Sequence, residues 1–223
     1  SKKAGFKTTS ILSSGTWKKI KIQEEGVHKV TAAFMSSMGF DLSSVSASNV
    51  QLFGNGGGML PEPNDYERID DLEEVAIQMV DHNANNKMDS EDYFLFYSNG
   101  AVTWTYDTVQ DEYRHHQNIY DNDVFYFVTV GSTKGKRMST KASGSSNSAD
   151  QTVDYYDQLF YRNLEEENLI HSGRNWVGDA FKHENIKTFA HDVPGLRTDL
   201  DCWLRSLMVA HSTSNTSSTV KVN

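Results

Sequence analysis

The sequence at residues 124–130 restricts the chain to folds in which a sheet is covered on both sides. It reads VFYFVTV, with apolar or aromatic residues in both alternating sets of positions. Successive side chains of a strand point to opposite faces, so this run is expected to be buried on both faces. Shorter runs of the same kind occur at 50–53, 75–80, 93–97 and 102–104. We therefore predict a mainly β protein, either an antiparallel β-sandwich or a barrel-like domain, with one or two short helices.

Two local elements are predicted near the N-terminus. Residues 31–38 have helical spacing of apolar positions, with Thr31 able to cap the start and Gly39 placed to end the helix. Residues 17–30 alternate around Glu24-Glu25-Gly26 and are expected to form a β-hairpin.

Composition divides the chain into three parts. We predict an N-terminal β domain over 15–135, a flexible Ser-, Lys- and Gly-rich linker over 136–153, and an aromatic arm over 154–223 that leads into a second β segment. The arm begins with near-helical spacing, although an extended conformation fits it as well. Residues 196–222 alternate in polarity and are expected to open a second β-sandwich. Because the chain starts at Ser1 and ends in a strand-like pattern, we expect a fragment of a longer protein.

The segment between the strands at 75–80 and 93–97 has the spacing of a calcium-binding loop. Its predicted ligands are Asp81, Asn83, Asn85, Asp89 and Asp92 at loop positions one, three, five, nine and twelve, with the backbone carbonyl of Lys87 at position seven. Asn86 replaces the usual glycine at position six, and an aspartate replaces the glutamate at position twelve. Both flanks are strands rather than helices, so the loop is expected to join a β-hairpin. The alternative is a metal-free turn closed by Asx hydrogen bonds.

Charge and cysteine content exclude several classes of function. The net charge of −9 argues against binding nucleic acid or an anionic membrane surface. No stretch approaches the about 18 apolar residues that a transmembrane helix needs. The single cysteine, Cys202, cannot form an internal disulfide, and its apolar surroundings in sequence predict a buried structural thiol.

Two further hypotheses come from aromatic and acidic residues. Trp104, Tyr106 and Trp176 are candidates for a sugar-binding surface of a free-standing adhesin or glycan-binding module, although such aromatics also serve as cross-strand or core partners. Asp81, Asp89 or Asp92 could supply the acid and base of a hydrolase. A carboxylate at a turn lacks an evident apolar pocket, so we rank this hypothesis below the others.

Four ordered motifs resemble the N-terminal region of PorU-type proteins, the type IX secretion sortases of Bacteroidetes, which are related to the gingipain cysteine peptidases. The motifs are QLFGNGGGMLPE at 51–62, DYFLFY at 92–97, NIY at 118–120 and SGRNWVGDAF at 172–181. The resemblance extends over roughly residues 15 to 222.

The resemblance implies an exported protein at the periplasm or cell surface, associated with the outer membrane. The complete family protein is a cysteine endopeptidase and transpeptidase that removes a C-terminal signal from secreted cargo and anchors the cargo. The family's catalytic His and Cys lie in a later domain, so no catalytic residue is carried over to this chain. We therefore expect a non-catalytic N-terminal β module, with type IX secretion components or cargo proteins as partners.

Overall fold

The computed structural model describes residues 6–142, 151–169, 171, 173, 175–182 and 184–222. The chain divides into two compact units, Ser1–Ser145 and Ser146–Asn223. Ser172 and Arg174 of the last PorU-type motif, and residues 143–150 of the predicted linker, lie outside the described residues.

The described part of the first unit contains one α-helix and nine strands. In chain order the elements are β1 (Lys18–Ile22), β2 (Gly26–Thr31), α1 (Ala32–Ser37), β3 (Val50–Gly54), β4 (Glu73–Val75), β5 (Gln78–Val80), β6 (Tyr93–Ser98), β7 (Val102–Asp107), β8 (Glu112–Gln117) and β9 (Val124–Val130). Short 3-10 turns lie at Ile11–Ser13, Leu42–Ser44 and Ala47–Asn49. No described helix is long and apolar enough to cross a membrane.

The strands form two antiparallel sheets and a separate hairpin. The first sheet has the order β1-β9-β3-β4, the second has the order β2-β6-β5, and β7 pairs with β8 alone. Phe96 of the second sheet packs on Tyr126 of the first, with 5.0 Å between ring centroids. Both rings belong to one buried apolar cluster that also contains Leu52, Phe94 and Val128. The predicted mainly β fold with an antiparallel β-sandwich is therefore confirmed.

The central position of β9 explains its sequence. The strand lies between β1 and β3, so both of its edges are hydrogen-bonded within the sheet. Val124, Tyr126 and Val128 are buried, and Phe125 and Phe127 are half-buried on the opposite face. A run that is apolar on both faces fits this central position better than it would fit an edge.

The predicted hairpin over residues 17–30 is wrong. β1 pairs with β9, and β2 pairs with β6, so the two strands enter different sheets. The Glu24-Glu25-Gly26 stretch is therefore the corner at which the chain passes from one sheet to the other. A hairpin turn and a sandwich corner use the same turn-forming residues, so the local sequence did not distinguish them.

The predicted helix is confirmed, together with its end signals. The backbone N–H of Phe34 donates to Thr31 Oγ1 over 3.2 Å, which caps the first turn of α1. Gly39 follows the helix with a φ of 91°, a left-handed conformation that glycine adopts without strain. Ala32 and Met35 are fully buried, so the helix packs on the core by one face.

The first sheet presents lysines along one of its edges. β1 is an edge strand and carries Lys18, Lys19 and Lys21 in its five residues. The Lys19 ammonium lies 3.4 Å from the centroid of the Phe125 ring, and Lys21 pairs with Asp123 at 3.2 Å. Lysine on an edge strand discourages pairing with a strand of another molecule.

In the second unit, the described residues contain no β-strand beyond an isolated bridge between Glu167 and Val177. Arg162 binds Asp179 through two hydrogen bonds of 2.9 and 2.7 Å. The predicted β segment over 196–222 is wrong, because its described residues form no strand. Its apolar side chains are exposed, up to 90% for Trp203, so alternation alone was not sufficient to form a sheet.

Candidate metal-binding loop

Residues 81–92 connect two adjacent strands of the second sheet. β5 ends at Val80 and β6 begins at Tyr93, and these two residues are antiparallel partners. The loop therefore joins a β-hairpin, as the sequence predicted. Met88 in the middle of the loop is 2% exposed and belongs to the core cluster. This apolar contact fixes one side of the loop to the sandwich, while most of its polar side chains face solvent.

Asp92 closes the loop from inside the protein. Its side chain is 1% exposed, and its Oδ1 accepts a 2.9 Å hydrogen bond from the backbone N–H of His82. Its Oδ2 accepts a 2.8 Å hydrogen bond from the backbone N–H of Asp89, and His82 Nδ1 lies 3.3 Å from Oδ1. Burial acts to raise the pKa of Asp92, but these hydrogen bonds outweigh burial, and the pKa lies below its ordinary value of 3.8.

Asp81 leaves one carboxylate oxygen without a partner. Its Oδ2 accepts a 2.7 Å hydrogen bond from the backbone N–H of Asn86. Its Oδ1 is buried and has no hydrogen-bond partner among the residues that the structure describes. Asn86 adopts a φ of 59°, so asparagine takes the left-handed conformation for which an EF-hand loop uses glycine. A buried carboxylate oxygen without a donor costs free energy unless a proton, water or cation meets it.

Three of the predicted ligands meet at one oxygen atom. The side-chain amides of Asn83 and Asn85 both donate to Asp89 Oδ2, over 2.8 and 2.7 Å. Asn83 Oδ1 accepts from the N–H of Asn85, and Asn85 Oδ1 accepts from the N–H of Lys87. The loop thus has the Asx hydrogen bonds of a tight turn and also gathers oxygen-bearing side chains on one side.

The structure does not bring all the predicted ligands together. Among the described residues, no group of three His, Cys, Asp or Glu side chains is placed to hold a metal ion. Asp92 faces backbone N–H groups, while Lys87 lies opposite Ser46 in an isolated antiparallel bridge. The convergence of side chains is therefore limited to Asn83, Asn85 and Asp89.

Asn86 also binds the loop to residues 46–48, which lead into β3. The sequence did not indicate this contact. Its backbone carbonyl accepts from the N–H of Ala47 at 3.1 Å. Its side chain accepts from the N–H of Ser48 at 2.8 Å and donates to Ser46 Oγ at 2.9 Å. One residue thus provides both the left-handed turn and three hydrogen bonds to a segment about 40 positions away.

Arg137 holds the other side of that segment. Its guanidinium donates to the backbone carbonyls of Ala47, Ser48 and Val50 over 2.9, 2.7 and 3.1 Å. Burial lowers the pKa of Arg137, although the group keeps a charge-assisted contact to each carbonyl. No local pattern in the sequence indicated this arginine, because all three acceptors are backbone atoms far from it along the chain.

Two of the three aromatic residues proposed for sugar binding, Trp104 and Tyr106, form cross-strand pairs on the β7–β8 hairpin. Trp104 packs on His115 with ring centroids 5.4 Å apart and an interplanar angle of 61°. Tyr106 packs on Tyr113 at 5.0 Å and 54°. Trp104 and Tyr106 point to the same face of the hairpin, and tilted pairs of this kind stabilise hairpins. Trp176 lies in the second unit and is partly exposed.

The prediction of a buried Cys202 is wrong. The thiol is exposed, and none of the hydrogen bonds found among the described residues involves it. The expected burial depended on residues 200–209 forming a covered strand, and these residues form none.

Comparison with known proteins finds a similarity among solved structures. No protein-family model and no curated protein sequence matches the chain. Among solved structures, the chain is similar to dimeric latent PorU from Porphyromonas gingivalis, with 31% sequence identity and a TM-score of 0.54. The match covers 73% of this chain and 14% of that protein. The chain therefore has a PorU-like fold over most of its length, which confirms the resemblance predicted from its motifs.

Proposed function

We propose that the chain is a non-catalytic β module of a PorU-like sortase, exported to the periplasm or cell surface and associated with the outer membrane. The whole protein would process type IX secretion cargo and attach it to a surface anchor, and this module would contact cargo or secretion components. The observation that carries the proposal is the PorU match at 31% identity over 73% of the chain. The chain spans only 14% of the length of PorU, which is consistent with a module of a larger enzyme.

The contacts of the acidic and thiol groups support a non-catalytic role. Asp92 is buried and accepts hydrogen bonds from two backbone N–H groups, and Asp89 accepts hydrogen bonds from two side-chain amides. A general base needs access to a substrate proton, and a nucleophilic thiol needs a base or a positive environment. Cys202 has no such hydrogen bond among the described residues.

Cargo processing can test this proposal directly. We expect no thiol-dependent cleavage of a cargo C-terminal signal by the 223-residue chain, and unchanged cleavage when Cys202→Ser is introduced into the complete parent protein. Iodoacetamide should abolish cleavage by the parent through its own nucleophile. Cleavage by the isolated chain that disappears in Cys202→Ser would contradict the proposal.

We further propose that residues 81–92 bind Ca²⁺ through the predicted ligands Asp81, Asn83, Asn85, Asp89 and Asp92 and the carbonyl of Lys87. The spacing, the left-handed Asn86 and the unpartnered buried oxygen of Asp81 support this assignment. A hard cation takes about six to eight oxygen ligands, and at Asp81 Oδ1 it would take the place of a hydrogen-bond donor. Ca²⁺ would then serve as a structural ion that stiffens the hairpin connection.

Thermal unfolding can measure the effect of the ion. After EDTA treatment, Ca²⁺ at about a hundred times its Kd should stabilise the folded state by about 2.7 kcal/mol and raise the Tm. Asp81→Ala and Asp89→Ala should remove this gain. Glu91→Gln is the matched control, because Glu91 is an exposed carboxylate of the same loop at a position with no predicted ligand role. Equal Tm values with EDTA and with Ca²⁺ would show that the loop is a metal-free turn.

The second candidate function is a glycan-binding or adhesin module. It is favoured by the exposure of Tyr106 and Tyr113, which present aromatic surface on one face of the β7–β8 hairpin. Their mutual tilt of 54° gives no single flat platform for a sugar ring. A glycan array with the wild-type chain and Tyr106→Ala separates the two functions. Glycan binding requires that the wild-type chain bind some glycans above background and that Tyr106→Ala lose this binding. A flat response of both proteins would rule out the glycan-binding function.

A further inference from the structure

The N-terminal strap, residues 7–14, is held against the first sheet by carboxylates. The backbone N–H of Lys7 donates to Asp70 Oδ2 over 2.5 Å, and the backbone N–H of Ile11 donates to Asp71 Oδ2 over 2.6 Å. The hydroxyl of Ser10 donates to Asp71 Oδ1 over 2.9 Å. Two of these three contacts use main-chain donors, which any residue except proline could provide.

A groove of about 700 Å³ lies between this strap and the end of the first sheet. Its wall on the sheet side consists of Phe53, Asp71, Leu72, Glu73, Glu74 and Lys136. This wall carries three carboxylates and the ammonium group of Lys136, and Glu74 Oε1 already accepts from the backbone N–H of Lys136. Phe53 and Leu72 supply apolar surface. A groove of this volume and charge attracts cationic groups and disfavours anions.

The strap is weakly attached to the protein. No described residue from 6 to 16 is buried, so the strap adds no side chain to the core. Its hydrogen bonds to Asp70 and Asp71 are exposed to solvent, so water can replace them when the strap leaves. Segments with few buried contacts open locally at low free-energy cost. The groove can therefore become accessible while the sandwich stays folded.

The neighbouring strand makes an extended ligand the best fit. β4 is the edge strand of its sheet, and Glu73 and Glu74 belong to both β4 and the groove. Extended peptides commonly bind along sheet edges through main-chain hydrogen bonds, with pockets that select side chains. The strap's own contacts differ in one respect, since its main-chain donors bind the side-chain carboxylates of Asp70 and Asp71 beside this edge, and Lys7 adds a positive charge.

We propose that this groove is a peptide-binding site for an extended, lysine- or arginine-containing segment of a partner protein, and that the strap is its resident, displaceable occupant. The partner segment would donate backbone N–H groups to Asp70 and Asp71 and place its cationic side chain near Glu73 and Glu74. This site is independent of the calcium loop and of the role of the whole sortase. It requires only that the strap leave the groove.

A labelled peptide can test the site in the complete 223-residue chain. The probe is a fluorescein-labelled peptide with the sequence of residues 6–14, FKTTSILSS, and its binding is measured by fluorescence anisotropy. Ile11→Pro removes the strap's N–H donor to Asp71 and leaves the sheet side of the groove unchanged. If the wild-type groove is open about one tenth of the time, Ile11→Pro should tighten peptide binding about tenfold.

The charge of the groove provides the matched comparison. Adding Asp71→Asn to Ile11→Pro should abolish the tightened binding, whereas adding Asp65→Asn, an exposed carboxylate outside the groove wall, should leave it unchanged. A probe with glutamate in place of its lysine should bind at least about tenfold more weakly. Circular dichroism of each variant shows whether the sandwich is still folded.

Three outcomes would overturn the proposal. Ile11→Pro could fold normally yet bind the probe no better than wild type. The Asp71→Asn combination could bind as tightly as Ile11→Pro alone. Wild-type chain could also form dimers at high concentration that Ile11→Pro abolishes, which would assign the groove to the strap of a second copy.

Discussion

At the scale of single residues, Asp92 is the side chain on which the loop most depends. It is buried beneath the loop and accepts hydrogen bonds from two backbone N–H groups, those of His82 and Asp89. A buried carboxylate with several donors stays ionised, and its removal would leave those donors unsatisfied. Asp92 therefore stabilises the protein with or without a bound cation.

Asp92→Asn tests this dependence. The amide can accept at only one oxygen and would turn its own donors toward the remaining N–H, so we expect a loss of about 1–3 kcal/mol in the free energy of unfolding. Glu91→Gln, on the exposed side of the same loop, should change the free energy by no more than about 0.5 kcal/mol. Urea unfolding at neutral pH measures both variants.

The pH dependence of stability gives a second result for the same variant. The pKa of Asp92 in the folded state lies below its ordinary value of 3.8, so its stabilising contribution is present above pH 3.8. That contribution is lost as the pH falls through the lower folded-state pKa. Between pH 5 and that pKa, Asp92→Asn should therefore lose less stability than wild type. Parallel acid profiles of the two proteins would contradict the assignment.

At the scale of structural elements, the loop and the segment at 46–50 form one unit. Asn86 joins them from the loop side, and Arg137 holds the carbonyls of Ala47, Ser48 and Val50 from the other side. The hairpin between β5 and β6 is thus attached to the beginning of β3, which belongs to the other sheet. The attachment connects the two sheets outside the apolar core.

Two substitutions of Asn86 separate its conformational role from its hydrogen bonds. Asn86→Gly keeps the left-handed conformation and loses two side-chain hydrogen bonds, so we expect a cost of about 1–2 kcal/mol. Asn86→Ala loses the same bonds and adds backbone strain, for a further cost of about 1 kcal/mol. Thermal and urea unfolding measure both. Equal stability of the two variants would show that the positive φ carries no cost.

The elements also show which features local sequence can predict. The helix α1 was predictable because Thr31 and Gly39 act within one turn of its ends. β9 was predictable because its apolar run reflects burial on both faces. The passage of the chain between sheets at Glu24–Gly26 was not, because β1 pairs with a strand about a hundred residues away. Turn residues report that the chain bends, but they do not report which strand it meets afterwards.

At the scale of the whole molecule, the sandwich in the first unit and the absence of strands in the described second unit have different origins. The first unit buries both sheets against one apolar cluster. Residues 196–222 have the alternation of a strand but lack partner strands among the described residues, and their apolar side chains remain exposed. Strand formation depends on pairing and burial supplied by other segments, which a local pattern cannot provide.

The candidate sites also divide into features that local sequence indicates and features that depend on distant segments. Spacing in the sequence singled out the loop, and the structure gathers Asn83, Asn85 and Asp89 there. The contacts of Asn86 and Arg137, and the groove beside β4, arise from residues distant along the chain. These features could be found only once the fold had placed them together.

The lysines along β1 have a consequence for the protein at high concentration. Two copies that approached each other with these edges aligned would bring ammonium groups into register before any main-chain bond could form. This repulsion weakens as ions accumulate between the copies. The β1 edge therefore opposes association between copies in buffer of low ionic strength, and it opposes association less at high salt.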